Sequence, residues 1–212
     1  EAARCGVPCY NKRFETAAEM ERTGESMEMA ARRLRYAWFD ELSREYGYTA
    51  VAVAHHADDS IETFFINLLR GTGLRGLTGI STQVGRIVRP LMFASRKEIL
   101  EYAVQNHIPF REDSSNRSTK YLRNKIRLGL IPRIREINPK FTELMRKNLG
   151  RLTDAQLFIN HGIERIRDEA VTSEEGIDTI HPDRIDPAFP RGFVIYELLS
   201  SCLLYTSPSP RD

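Results

Sequence analysis

Residues 49–76, TAVAVAHHADDSIETFFINLLRGTGLRG, limit what this chain can fold into more than any other stretch. Residues 49–54 are β-branched or small and uncharged, a composition that suits a strand buried on both faces of a parallel sheet. Two histidines and two aspartates follow at once. Asp59 stands three residues before Glu62, the spacing of a capping box that opens a helix. Ile61, Phe64, Phe65, Leu68 and Leu69 then recur at helical spacing and define one apolar face. Gly71 is placed to end that helix in a left-handed conformation.

A strand, a polar turn and a helix in this order set His55, His56, Asp58 and Asp59 at the carboxyl end of the strand. Open α/β sheets bind ligands at that edge. Helix N-termini favour negative charge, so the two carboxylates either cap the helix or hold a cation that carries phosphates. Taken singly, Asp59 reads as an N-cap and His56 as a surface residue. The set HH-x-DD, with RGTG after the helix, reads as a site. Gly71, Gly73, Gly76 and Gly79 let backbone amides approach a ligand, or serve only as turn residues.

The remaining chain fits around this segment. Residues 1–10 read as a helix end, a stop at Gly6 and a strand from Val7. Residues 14–24 read as a loop with a short helix. Ser26 caps a helix running to about Tyr46, with Ala30, Leu34, Trp38 and Leu42 inward and Arg33 on a solvated face. Residues 86–89 with Pro90 form a short strand and its exit, and Ser95 with Glu98 forms a second capping box whose helix ends near Asn106. Alternation of this kind argues a mostly parallel sheet with covering helices. Beyond it, Leu122, Ile126 and Leu130 should pack. Lys120, Arg123 and Arg127 share another stripe, either a solvated basic face or a phosphate clamp. Asn138 and Pro139 start a long helix to about Ala170, weakened at Gly150 and Gly162. A short strand over 176–180 and a helix over 191–200 follow. The lone His161 and His181 are assigned no site.

Composition excludes several classes. The 212 residues are 41% hydrophobic and 28% charged, ordinary for a globular protein. No apolar run approaches the roughly 20 residues of a membrane span. Cys5, Cys9 and Cys202 make an odd count without C-x-x-C, so neither a disulfide framework nor a zinc site is indicated, and a reducing cytoplasm is expected. The formal charge of +2 does not announce a nucleic-acid binder, but Arg and Lys crowd residues 111–135.

HHADDSIET followed by LLRGTGLRGL resembles the tRNA(Ile)-lysidine synthases, members of the PP-loop ATP-pyrophosphatase superfamily. SMEMAARRLRYAWF at 26–39, IVRPLM at 87–92, SRKEILEYA at 95–103, and FREDSSN with YLRNKIR between 110 and 127 extend the resemblance in the family's order, over about residues 1–201. It implies an α/β fold, a Rossmann-like (adenine nucleotide alpha-hydrolase-like) parallel sheet with covering helices, followed by the start of an α-helical domain. Residues 1–136 would be the C-terminal part of the PP-loop domain, and 137–201 a helical connector into a tRNA-contacting domain.

The implied activity is a ligase reaction. ATP with Mg2+ adenylates the C2 oxygen of the wobble cytidine in tRNA(Ile) with a CAU anticodon. Free L-lysine then attacks C2 and AMP leaves. Expected catalytic residues are His55, Asp59, Arg35 (in the R-x-x-R-Y element) and Arg127. His55 would donate to a phosphate or assist proton transfer. His56, Asp58, Arg70, Gly71, Thr72 and Gly73 are expected at ATP, Arg123 and Asn124 at tRNA or phosphate, and Asp58 with Asp59 at Mg2+. Lys125 and Leu128 depart from the family, which often has Arg and His there. A homodimer is left open. The family's Ser-Gly-Gly-x-Asp-Ser phosphate loop occurs nowhere in this sequence, so it is expected upstream of Glu1, and residues 1–212 alone are expected to be inactive. Residues 202–212, CLLYTSPSPRD, read as a translated sequencing adapter. Rival readings are a thiolating or amidating PP-loop enzyme, a non-catalytic RNA-binding module marked by salt-dependent binding, and a structural fragment.

Overall fold

The structure, a computed structural model, describes residues 2–111 and 122–203, with backbone only for 201–203. The turn cluster expected at 113–116, Lys120 and the tail from 204 onward lie outside the described residues. In chain order the elements begin with α1 (Ala2–Cys5), α2 (Thr16–Thr23), α3 (Met27–Tyr46), β1 (Val51–Ala52), α4 (Ala57–Arg70) and α5 (Leu74–Leu77). Next come β2 (Gln83–Val84), β3 (Ile87–Val88), a 3-10 turn (Pro90–Phe93) and α6 (Arg96–Gln105). Then follow α7 (Leu122–Lys125), a π turn (Ile126–Leu130), α8 (Ile131–Ile137) and α9 (Phe141–Ala170). β4 (Val171–Glu174), β5 (Ile177–Ile180), a 3-10 turn (Pro182–Arg184) and α10 (Arg191–Leu203) complete the series. The chain forms two compact units, Glu1–Ala52 with Gly85–Val88, and Val53–Val84 with Arg89–Asp212.

In the first unit β1 pairs in parallel with β3, Val51 opposite Ile87 and Ala52 opposite Val88. The chain between them carries α4 and α5, as a parallel connection requires. The strand is shorter and less buried than expected. Val51 and Val53 are half-buried, whereas Ala50, Ala52 and Ala54 are exposed. The run AVAVA alternates, and period-two alternation marks one covered face, not two. Ser26 caps α3 by accepting the Met29 N–H, and Ala30 and Ser43 are its buried residues. No strand begins at Val7; residues 7–15 carry no regular element.

The second unit has two cores. Ile61 and Ile66 of α4 pack with Ile126, Ile131, Met145 and Leu149, flanked by Phe64, Phe65 and Phe141. Ala170, Ile185, Val194 and Leu198 form the other, with Ile163, Ile166, Val171 and Ile180 around them. Each fully buried aliphatic side chain contributes about 1.5–3 kcal/mol. α9 supplies side chains to both cores and runs unbroken through Gly150 and Gly162. Two glycines cost about 1 kcal/mol each in a helix interior, less than two anchored ends contribute. Asn138 does not start α9 but caps the end of α8, its N–H on the Ile134 carbonyl at 2.8 Å. β4 and β5 form a hairpin whose turn residues, Glu175 (φ 51) and Gly176 (φ 81), are both left-handed. Two such residues match the twist of the flanking strands.

Two helix faces differ from their sequence patterns. Leu68 and Leu69 of α4 are exposed. Leu122 and Leu130 are exposed too, while Ile126 between them is buried. The π turn explains the second case. It inserts extra backbone per turn, so residues spaced by four no longer share a face. Pro132, at the start of α8, has no N–H for an i−4 carbonyl and would clash with it, and the wider turn relieves that conflict.

Candidate active site

The first turns of α4 carry Asp58, Asp59, Glu62 and Thr63, all buried, with Glu62 only 1% exposed. Three carboxylates taken out of water need cations or donors. The helical run from Leu122 to Ile137 supplies them. Arg127 grips Glu62 with a two-point fork, Nε to Oε1 at 2.6 Å and Nη2 to Oε2 at 2.9 Å. The same Nη2 reaches Oδ1 of Asp59 at 3.2 Å. Arg123 Nε stands 3.8 Å from Glu62 Oε2, and its Nη2 donates to Thr63 Oγ1 at 3.1 Å. Arg135 Nη2 meets Asp58 Oδ1 at 2.5 Å, and the main-chain N–H of Arg96 donates to Asp58 Oδ2 at 2.7 Å. Burial pushes the Glu62 carboxyl above its ordinary range, and the Arg127 fork opposes that push. Glu62 in turn raises Arg127, against burial.

His56 occupies the N-cap of α4, and Asp59 Oδ2 accepts its N–H at 3.0 Å. The capping frame is therefore His56 to Asp59, three residues earlier than the expected Asp59 to Glu62. A buried Glu62 committed to Arg127 is not available as a cap. Nδ1 of His56 is buried without a hydrogen bond, 3.4 Å from Asp59 Oδ2. The side chain of the preceding His55 accepts at Nδ1 from Arg89 Nε at 3.3 Å.

The expected Mg2+ ligands are engaged by donors as they stand. Both oxygens of Asp58 and both of Asp59 already accept hydrogen bonds, from Arg135 and Arg96 and from Arg127 and His56. Among the described residues no group of three or more His, Cys, Asp or Glu is placed to hold an ion.

The structure brings His56, Asp58, Asp59, Arg123 and Arg127 into one network, with Asn124 buried on the same helical run. It does not bring Arg70, Gly71, Thr72 and Gly73 there. They lie at the far end of α4, about 20 Å away at 1.5 Å per residue. Arg70, Gly71 and Gly73 are exposed. The later glycines serve packing. A Cβ on Gly76 would sit 2.0 Å from Thr72 Oγ1, and one on Gly79 (φ +77) 2.2 Å from Ser60 Oγ. Ser60 also accepts the Ile80 N–H, and Asn67 donates to the Gly76 carbonyl, so this loop folds back on α4.

Arg35 belongs to the other unit and is exposed, its guanidinium 6.0 Å from the Tyr36 ring centre. Arg33 lies on a solvated face, as expected, but is not free there. It bridges Glu19 at 2.6 Å and Glu25 at 3.0 Å and ties α2 to α3. Four residues of the networks escaped the sequence reading: Glu62, taken as a cap, Thr63, Arg89, taken as a strand exit, and Arg135. The signal for Glu62 was available, since Asp59, Glu62 and Thr63 form an i, i+3, i+4 polar stripe opposite a basic one. Beside the network lies a cavity of about 990 Å³, lined by Asp58, Glu62, Arg96, Arg127, Arg135 and Arg146 among others.

In open α/β sheets ligands bind where a helix start follows a strand, and a carboxyl perturbed as Glu62 is marks a candidate site there. The family model of the PP-loop domain matches residues 1–134, and the chain belongs to that family. Among curated proteins it is similar to the tRNA(Ile)-lysidine synthase of Parabacteroides distasonis, 41% identical over 169 residues, covering 80% of this chain and 39% of the relative. The tRNA(Ile)-lysidine synthase of Chlorobaculum tepidum is 40% identical over 152 residues, 72% of this chain and 45% of the relative. That of Dehalococcoides mccartyi is 31% identical over 205 residues, 91% of this chain and 44% of the relative. The chain thus spans about two fifths of the length of the curated relatives it matches.

Proposed function

We propose that this chain is part of an ATP-dependent tRNA-modifying ligase that joins L-lysine to C2 of the wobble cytidine of a CAU-anticodon tRNA(Ile), through an adenylated tRNA intermediate. In this reading residues 1–136 belong to a Rossmann-like PP-loop domain, residues 137–201 lead into a tRNA-contacting domain, and the reaction takes place in the cytoplasm. The observation that supports it best is the HHADDSIET helix start, bonded through Asp59 and Glu62 to Arg127, in a chain whose relatives carry that name.

Adenylating a carbonyl-like oxygen concentrates charge on phosphates, and donors fixed beforehand lower that barrier. His55 would meet phosphate, and Arg35, in the other unit, would meet phosphate or RNA. Arg127 is already bonded to two carboxylates, so it acts by holding the start of α4 in one position, and Arg123 with Asn124 borders the same helix. Mg2+ would travel with the nucleotide. Asp58 and Asp59, whose oxygens each accept one hydrogen bond here, would hold it through their remaining lone pairs. The test is lysine transfer to a tRNA(Ile) transcript by the full-length protein, with AMP release followed in parallel. AMP and lysidine formed together, and both lost in Arg127→Ala, are expected. ATP-dependent AMP release without lysine incorporation would reassign the chain to another PP-loop activity.

A further inference from the structure

Arg89 follows β3 and is 5% exposed. Its main-chain N–H donates to the Thr82 carbonyl at 2.8 Å, and its Nη1 to the Ser81 carbonyl at 2.8 Å. Its Nε donates to His55 Nδ1 at 3.3 Å. Among the described residues no carboxylate lies within ion-pair distance of it, unlike Arg123, Arg127 and Arg135. A buried cation without a counter-ion is costly, and a neutral side chain of the same volume would avoid that cost. Anchoring the Ser81 carbonyl needs only a neutral donor. The contact left to account for the charge is the one to His55.

A guanidinium has donors only and does not lose its proton. A ring nitrogen that it bonds must offer a lone pair, so the His55 ring proton sits on Nε2. A proton on Nδ1 would set N–H against N–H. We propose that Arg89 is a positioning residue that locks His55 in the Nε2–H tautomer, so that His55 gives an anionic oxygen a fixed hydrogen-bond donor and does not act as a proton acceptor. The oxygen is taken to be a phosphate oxygen, which rests on the ATP chemistry proposed above. Of the two roles open to His55 from sequence, donation to phosphate is the one this geometry selects. With no carboxylate in ion-pair distance among the described residues, the charge on Arg89 also favours an anion beside it.

The test reads the tautomer directly. In 15N-labelled full-length protein, long-range 1H–15N spectra should show His55 with a lone-pair Nδ1 and a protonated Nε2, the signals being assigned by their loss in His55→Gln. Arg89→Met should shift the ring toward a mixture of tautomers, and Arg89→Lys, which keeps a donor and the charge, should restore part of the Nε2–H form. An unchanged tautomer in a folded Arg89→Met protein would overturn the proposal. If Arg89→Met does not fold, Arg89→Gln, a neutral donor, takes its place and should weaken the tautomer preference. Activity supplies the second readout. Arg89→Met should lower kcat for AMP formation about tenfold, with KM for ATP changed by about twofold or less. In a His55→Ala background the same substitution should cost less than about twofold. An equal loss in both backgrounds would mean that Arg89 acts without His55. His55→Gln, whose amide N–H falls near the Nε2 position, should retain more activity than His55→Asn. The spectra report the tautomer even if the protein transfers no lysine, so failure of the functional reading stays separate from failure of this one.

Discussion

The molecule contains the same small network twice, in opposite surroundings. In the first unit Arg33 holds Glu19 and Glu25, and in the second Arg127 holds Glu62 and Asp59. Each is one arginine between two carboxylates, with N to O distances from 2.6 to 3.2 Å. They differ in water. The Arg33 side chain is 38% exposed and the Arg127 side chain 19%, with Glu62 at 2%. Hydrogen bonds from Arg22 and then Arg33 pull the Glu19 carboxyl down to about 2. Burial drives Glu62 the other way, although its partner is at least as close. Geometry alone therefore does not say what an ion pair does to stability. An exposed network staples two helices at small cost, whereas a buried one is held in place because losing a member is worse than keeping it.

The largest effect should come from opening the buried network. Arg127→Ala leaves Glu62 and Asp59 without their main cation, and about 3–5 kcal/mol of stability should be lost in urea denaturation. Replacing Arg127 and Glu62 together, Arg127→Met with Glu62→Leu, should recover part of that loss, because it removes the Glu62 charge along with its partner and leaves only Asp59 without its arginine. Activity should not return with it. A loss below about 1 kcal/mol for Arg127→Ala would mean that water reaches Glu62, and the contrast between the two networks would fail.

Titration sharpens the same contrast. Glu19 starts from an ordinary 4.5 and falls to about 2 in the fold, so its contribution to stability is present above 4.5 and lost as pH falls through about 2. Glu62 has the opposite sign. A carboxyl raised by burial favours folding below its unfolded value, and that contribution is lost as pH rises through its folded one. Carbon-detected NMR of the side-chain carboxyls should place Glu19 near 2 and Glu62 above the ordinary glutamate value. Two glutamates titrating together would remove burial as the deciding difference.

What the sequence made legible follows the same division. Features set by local chemistry were readable: the start of α3 at Ser26, the capping box of α6 at Ser95 and Glu98, the end of α9 at Ala170, and the strand at Ile87. That His56, Asp58 and Asp59 would cluster at the start of α4 was readable too, because they stand together between an apolar run and an amphipathic helix. Features set by distant partners were not. Glu62 pairs with a residue 65 positions away, and Asp58 with one 77 away, so the local polar stripe marks a face but does not name the partner that makes Glu62 a buried ion. Arg89 looked like a strand exit, because its meaning lies in His55, 34 positions earlier. The π turn was hidden for another reason, since the i, i+4 spacing of Leu122, Ile126 and Leu130 presumes the α-helical period that Pro132 disrupts.

The smallest effect should come from the exposed network. Arg33→Ala removes the link between α2 and α3, yet Glu19 keeps the Arg22 fork, at 2.6 Å and 3.1 Å. Both freed carboxylates can also turn to water. The urea midpoint should therefore move far less than for Arg127→Ala. What remains should be sensitive to salt, because screening at 1 M shortens the reach of a charge to about 3 Å. Comparing the two variants at low salt and at 1 M NaCl decides the matter. The Arg33→Ala difference should shrink toward zero, while the Arg127→Ala difference should persist, since salt ions do not enter the site where Glu62 lies. If both differences fell together, the two networks would be equally open to solvent, and the arginines of α7, the π turn and α8 would be no more than a basic helix face.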